Sequence, residues 1–277
     1  MRVIEILEHF LTRSTWVDPE NTVDRVIVGE SDTDVKRCLV TWMPNMKALQ
    51  YAVDQGYTLI VCHEPTFWNH FDDLPEASPR TAAKFQFIEQ NNLIVLRNHD
   101  CWDRWPEIGI PWAWARFLGI EGSPIEFSQD GYQHRYDIGT TTLGVFAAQV
   151  AAECSNIGEH MIQVTGDLKQ PVSKIGIGTG CACDIETFIQ MGCDCSVVCD
   201  DGSVYWANIQ MAEDLAHPVI RVNHGTSEEP GMVTLTAYIN QNLEIRAEHF
   251  PHGATFQLVS DQPSTNHPTL REIGQNI

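Results

Sequence analysis

Four short apolar runs, each closed by a cluster of polar residues, limit what this chain can fold into more than any other feature. Residues 58–62 (TLIVC) run into His63-Glu64-Pro65, and residues 93–97 (LIVLR) run into the segment from Asn98 to Asp103. Residues 195–199 (CSVVC) end in Asp200-Asp201-Gly202, and residues 218–222 (PVIRV) end in Asn223-His224-Gly225. Helical patterns precede the second and fourth runs, over residues 80–91 and 204–216. Apolar residues also recur at helical spacing in residues 1–13, and residues 45–55 predict another helix. Continuous apolar strands alternating with helices predict an α/β fold, with parallel or mixed sheets covered on both faces. Ligands of such sheets gather beyond the carboxyl ends of the strands. Several of those ends carry His, Asp or Glu here.

The strand–helix pattern occurs twice, which predicts two α/β lobes. Residues 1–125 form the first, ending after a helix at 112–118, and residues 129–134 read as a polar link. Residues 126–277 form the second, with a helix at 142–154, strands near 161–165 and 174–178, and a polar tail from about residue 260. A length of 277 residues suits two lobes of about 100–150 residues, and 43% hydrophobic residues can fill their cores.

Seventeen basic residues stand against 37 acidic ones, a formal charge of −20. That field repels phosphate backbones and anionic bilayers, so neither nucleic acid nor membrane is an expected partner. No apolar run approaches the roughly 20 residues of a membrane helix. Glu5 and Glu8 interrupt the first apolar stretch, so it does not read as a signal peptide. The expected compartment is the cytoplasm, and the nine cysteines are read as reduced thiols.

His63 and Glu64 follow a buried strand that Pro65 stops from extending. His99 and Asp103 are four residues apart, as are His224 and Glu228; where each quartet opens a helix, its two members point the same way. Imidazole nitrogen with carboxylate oxygen suits zinc, manganese or ferrous iron. Asp103 and Glu228 are the candidates to bridge two ions, since one carboxylate can give an oxygen to each. A lone strand-end histidine is more often a hydrogen-bonded structural residue, so the case rests on several such ends converging.

In these segments the chain resembles the Nif-three-like family of dinuclear-metal proteins, some members of which are described as GTP cyclohydrolase I type 2. The family's strand followed by His-His-Pro matches TLIVC-His63-Glu64-Pro65. Its His-x-x-x-Asp segment matches His99 to Asp103, and its late Gly-His-x-x-x-Glu segment matches Asn223-His224 to Glu228. Order and spacing fit over roughly residues 1–245. The resemblance implies two lobes facing across a cleft that holds the metal site, and a ring-shaped homohexamer. It also implies two divalent ions (Zn, Mn or Fe, with Mg allowed) on His63, Glu64, Asp103, His224 and Glu228.

Three departures stand out. Glu64 replaces the family's second histidine, trading a softer nitrogen for an anionic oxygen and shifting preference from zinc towards manganese, iron or magnesium. The family's early Trp-Asp-Asn-x-Gly is only faintly echoed by Val23-Asp24 through Gly29, and its second-lobe Thr-Gly-Asp appears as Val198-Cys199-Asp200.

Other features favour structural roles. Residues 174–180 (KIGIGTG) lack the spacing of a nucleotide fingerprint and predict a tight turn before a helix at 184–190. Cys193, Cys195 and Cys199 share strand parity but form no CxxC pair, and read as buried packing. Trp102, Trp105, Trp112 and Trp114 read as helix packing or a subunit contact, His249 and His252 as structural or surface groups. No G-x-S-x-G nucleophile motif is present.

The expected function is a dinuclear metal-dependent hydrolase of a nucleotide-like or phosphorylated small molecule, with His99 just outside the ligand shell to move a proton. The alternative is a metal-binding or protein-interaction scaffold without turnover.

Overall fold

The computed structural model describes residues 1–73 and 79–259; the polar tail expected from about residue 260 lies outside them. The chain opens with α1 (Val3–Arg13), β1 (Val26–Val28), β2 (Arg37–Thr41), α2 (Met46–Gln55) and β3 (Leu59–Cys62). It continues through α3 (Pro79–Gln90), β4 (Ile94–Arg97), the single turn α4 (Asp100–Asp103) and α5 (Ile110–Phe117). Next come β5 (Glu126–Phe127), β6 (His134–Thr142), α6 (Leu143–Ser155), β7 (Gln163–Thr165) and β8 (Pro171–Ile177). The last elements are α7 (Ile185–Gln190), β9 (Cys195–Cys199), α8 (Gln210–Asp214), β10 (Val219–Val222), α9 (His224–Asn242) and β11 (Arg246–His249).

The strands make two mixed sheets, in the orders β1-β4-β3-β2-β11 and β5-β6-β8-β9-β10-β7. In each, a run of neighbouring strands is parallel: β4, β3, β2 and the edge strand β11 in one, β8, β9 and β10 in the other. Every residue of β3, β4 and β9 is buried, so their sequences are predominantly apolar runs rather than alternating ones, with Ser196 and Arg97 as the polar exceptions. On one face of the first sheet, Leu49 and Ala52 of α2 and Ile88 of α3 pack with Ile60, Cys62 and Val95. On the other, Val3, Ile6 and Phe10 of α1 meet Met232, Leu235 and Ile239 of α9, with Trp102 and Trp105 between.

Helix ends follow their capping chemistry. Asn45 accepts the Ala48 N–H at the start of α2, and Gly56, at φ 68°, closes it in the left-handed region. Thr142 and Asp184 cap α6 and α7 in the same way.

Some expectations shift. The stretch expected as a polar link at 129–134 is the turn of the β5–β6 hairpin. The helix expected at 204–216 is a wide π turn at Tyr205–Ile209 that passes into α8. After β10 the chain returns to the first sheet: α9 packs on its core, and β11 pairs with β2. Where α9 meets α5, a Cβ on Gly231 would overlap Ile110. Among the described residues, no helix is long and apolar enough to cross a membrane.

Candidate metal centre

The site forms where strand ends from both sheets meet. The backbone N–H groups of His63 and Glu64 both donate to the Trp42 carbonyl, at 3.1 and 2.8 Å, which pins the turn after β3. After β4, the buried Asp24 carboxylate accepts the N–H groups of His99, Asp100 and Cys101, satisfying donors that the first turn of a helix leaves unpaired. After β10, Asp200 accepts the His224 N–H at 2.8 Å, and Glu159 accepts that of Asn223. Both quartets therefore open helices, and the four-residue spacing brings each histidine to its acid. His99 Nδ1 lies 3.1 Å from Asp103 Oδ2, and His224 Nε2 lies 3.0 Å from Glu228 Oε2.

All six residues converge. His63 Nε2 lies 3.3 Å from Asp103 Oδ1 and 3.4 Å from Glu228 Oε2. Glu64 Oε1 is 3.3 Å from His224 Nε2 and 3.8 Å from His99 Nε2. The His63 and His99 rings stack with centroids 4.4 Å apart. Two groups offer donor atoms within 4.8 Å of one another: His63, His99 and Asp103, and His63, Glu64 and Glu228.

The donors fit a divalent cation. His63 is fully buried and His224 nearly so, yet Nε2 of each makes no hydrogen bond. Each instead faces carboxylate oxygens at 3.0–3.4 Å, and an ion between them would satisfy nitrogen and oxygen together. The remaining ring nitrogens are already engaged. His63 Nδ1 faces the Asn98 carbonyl at 3.4 Å, and His224 Nδ1 meets Asp201 Oδ2 at 2.7 Å, the carboxylate–histidine arrangement that orients a ligand ring. Trp42 Nε1 donates to Glu228 Oε2 at 2.8 Å, fixing that carboxylate.

The charge balance points the same way. Burial opposes the His99 cation, but Asp103, Asp100 and Glu64 outweigh it and carry the imidazole up to about 10. His224 is likewise driven well above its ordinary value against burial, by Glu228, Asp201 and Glu64. Burial would raise the Glu64 carboxyl, yet His224, His99 and His63 hold it well below the usual carboxylate range. The carboxylates thus favour cations in this pocket, and a divalent ion would compete there with protons.

Glu64, His99, Asp103, His224 and Glu228 line a cavity of about 550 Å³ together with Trp68, His70, Tyr132 and the turn Thr179–Ala182, while His63 is fully buried against Asp103 and Glu228. The glycine turn serves the centre as well as the chain path. Gly180 sits at φ 57°, and a Cβ there would come within 2.7 Å of Glu228 Oε1 and 3.0 Å of His224 Nε2. A Cβ on Gly178 would collide with Cys183.

The six residues expected from the sequence, His63, Glu64, His99, Asp103, His224 and Glu228, come together here. His99, expected just outside the ligand shell, offers a ring nitrogen within 4.8 Å of the His63 and Asp103 donor atoms. Trp42, Asp24, Asp200 and Asp201 were not singled out for this role. Asp24 falls in the faint echo at residues 23–29 and Asp200 in Val198-Cys199-Asp200, but neither carries a local pattern that marks it as a support. The tryptophans pack: Trp102 and Trp114 are fully buried, and Trp102 Nε1 donates to the Gly231 carbonyl. His249 pairs with the buried Glu229, and the His252 ring meets Trp42 edge-on.

The model of the Duf34/NIF3 (NGG1p interacting factor 3) family matches residues 2–252. No curated protein sequence matches the chain. Among solved structures, hypothetical protein SA1388 of Staphylococcus aureus superposes with a TM-score of 0.76 at 17% identity, covering 93% of this chain and 99% of that one. A Bacillus cereus protein related to NIF3 gives 0.72 at 13% identity, with 94% and 99% covered. Reduced HcgD from Methanocaldococcus jannaschii gives 0.69 at 16% identity, with 90% and 97% covered. At these identities the likeness is one of fold.

Proposed function

The chain belongs to the Duf34/NIF3 family, and from that premise and the donor cluster we propose a metal-dependent hydrolase with a dinuclear centre. The observation that carries the reading is the convergence of six His, Asp and Glu side chains, five of them lining one cavity and His63 buried against Asp103 and Glu228. His63, His99 and Asp103 would hold one ion, and Glu64, His224 and Glu228 the other. Glu228 suits the bridging position, because its Oε2 lies 3.4 Å from His63 Nε2 and 3.0 Å from His224 Nε2. Asp103 spans only His63 and His99, at one end of the cluster. Bound divalent ions would supply Lewis acidity, lowering the pKa of water and polarising a substrate oxygen.

The chain's own side chains do the rest. Asp201 orients His224, and Asp100 lies 2.9 Å from His99 Nδ1. We give His99 the role of ligand and pass the proton to His70, which lines the cavity with its ring edge-on to His99 at 5.9 Å. Among the described residues no lysine or arginine lines the cavity, while Trp68 and Tyr132 offer ring faces. That composition favours recognition through a heterocycle over recognition through phosphate. The ring-shaped homohexamer is part of the same proposal, and light scattering should return the mass of six chains.

Protein loaded with manganese, iron or zinc and screened against nucleobases, nucleosides, nucleotides and phosphoesters should show turnover that disappears in Asp103→Ala and Glu228→Ala. Stoichiometric metal with no turnover on any of these would instead favour the scaffold.

A further inference from the structure

We propose that Arg97 is a positioning residue of this centre: it holds Glu64 as a one-oxygen donor and thereby sets the affinity of the ion at the Glu64–His224 end. The inference rests on the metal reading above. Arg97 is the last residue of β4 and is 0% exposed, one of the largest fully buried side chains. Its Nε donates to the His63 carbonyl at 2.9 Å, and its Nη1 donates to the His70 carbonyl. Its Nη2 makes no hydrogen bond and stands 3.8 Å from Glu64 Oε2.

The two oxygens of Glu64 thus face different cations. Oε2 faces the guanidinium; Oε1 faces His224 Nε2 at 3.3 Å and His99 Nε2 at 3.8 Å. A guanidinium out of water needs a counter-charge, and Glu64 supplies it. With Oε2 drawn to the guanidinium charge at 3.8 Å, the carboxylate turns Oε1 towards the metal end. The planar fork matters, because bonds from Nε and Nη1 to the His63 and His70 carbonyls fix where Nη2 and its charge stand beside Glu64. Arg97 therefore ties two consecutive donor residues to the strand from which His99 and Asp103 continue. It is absent from the cavity lining, so it acts through Glu64 rather than on substrate.

A double-mutant cycle tests this. The full chain, Arg97→Met, Glu64→Gln and the double variant are titrated with manganese and with zinc, reading ions per chain and dissociation constants. Melting in chelator reports on the fold separately. Arg97→Met should weaken the more loosely held ion about 10–100-fold, as loss of a ligand-orienting partner does. In the Glu64→Gln background the same change should add almost nothing. Independent, multiplying losses overturn the proposal, as does wild-type affinity in Arg97→Met. If Arg97→Met does not fold, Arg97→Lys, which keeps the charge and loses the fork, carries the cycle with the same expectations. Fewer than two ions on the wild-type chain would undo the dinuclear reading, and the coupling would then be read on the ion that remains. A chain that binds neither metal overturns both.

Discussion

The His99–Asp103 and His224–Glu228 quartets are built by one device in two sheets, yet they end in different chemistry. Each follows a parallel strand and opens a helix whose first N–H groups are received by a carboxylate from elsewhere, Asp24 in one case and Asp200 in the other. Each histidine has an aspartate at its Nδ1, Asp100 or Asp201. The donor balance then diverges. In the proposed centre one end would have two imidazoles and a carboxylate (His63, His99, Asp103), and the other two carboxylates and an imidazole (Glu64, Glu228, His224). Nitrogen-rich sets suit zinc, and oxygen-rich sets suit manganese or magnesium. The two ions of the proposed centre are therefore not equivalent, and Glu228, facing His63 and His224 together, is what couples them.

The largest expected effect strikes that coupling. Glu228→Ala should cost both ions at least about 100-fold in affinity, whereas Asp103→Ala should chiefly empty its own end. Elemental analysis after dialysis distinguishes these, and equal losses from the two variants would break the asymmetry. Asp24→Ala comes next. It strips one buried acceptor from three N–H groups. Each unpaired group costs roughly 1–3 kcal/mol, so thermal unfolding should drop and the His99 end should lose metal first. Gly180→Ala should act on the other end. The added methyl crowds Glu228 and His224 and sits at positive φ, so weakening of about 10-fold is expected there, with little change at the His99 end.

A further effect is in pH, and its sign is fixed. His99 has its folded pKa raised from 6.5 to about 10. A raised folded pKa stabilises fully below the unfolded value and is lost as pH rises through the folded one. Metal-free protein should therefore lose stability between pH 6.5 and about 10, and metal uptake near neutrality should release protons, measurable by calorimetry in buffers of different ionisation enthalpy. Stability that rises over this window would contradict the protonated pocket.

What could be read from the sequence, and what could not, follows from range. Strands β3, β4, β9 and β10 were legible because burial on both faces leaves short apolar runs, and the four-residue spacing in each quartet gave its two donors one direction. Helix α9 was not legible past its first turn. Residues 224–232 are buried all round, so no amphipathic period marks them, and Pro230 and Gly231 argue locally against a helix. Packing against α5 and α1 overrides that propensity. Strand β6 was missed because HRYDIGTTT is polar and pairs in a sheet with much of its length exposed. Supports such as Trp42 and Asp24 act on residues 186 and about 75 positions away, at distances a local pattern does not record.

Whether the centre holds two different ions can be seen in a crystal of protein saturated with zinc and manganese, with anomalous scattering collected at each absorption edge. Two peaks per chain are expected, zinc among His63, His99 and Asp103 and manganese among Glu64, His224 and Glu228, with Glu228 touching both. A single peak, or two peaks of the same metal mixture, would contradict that expectation.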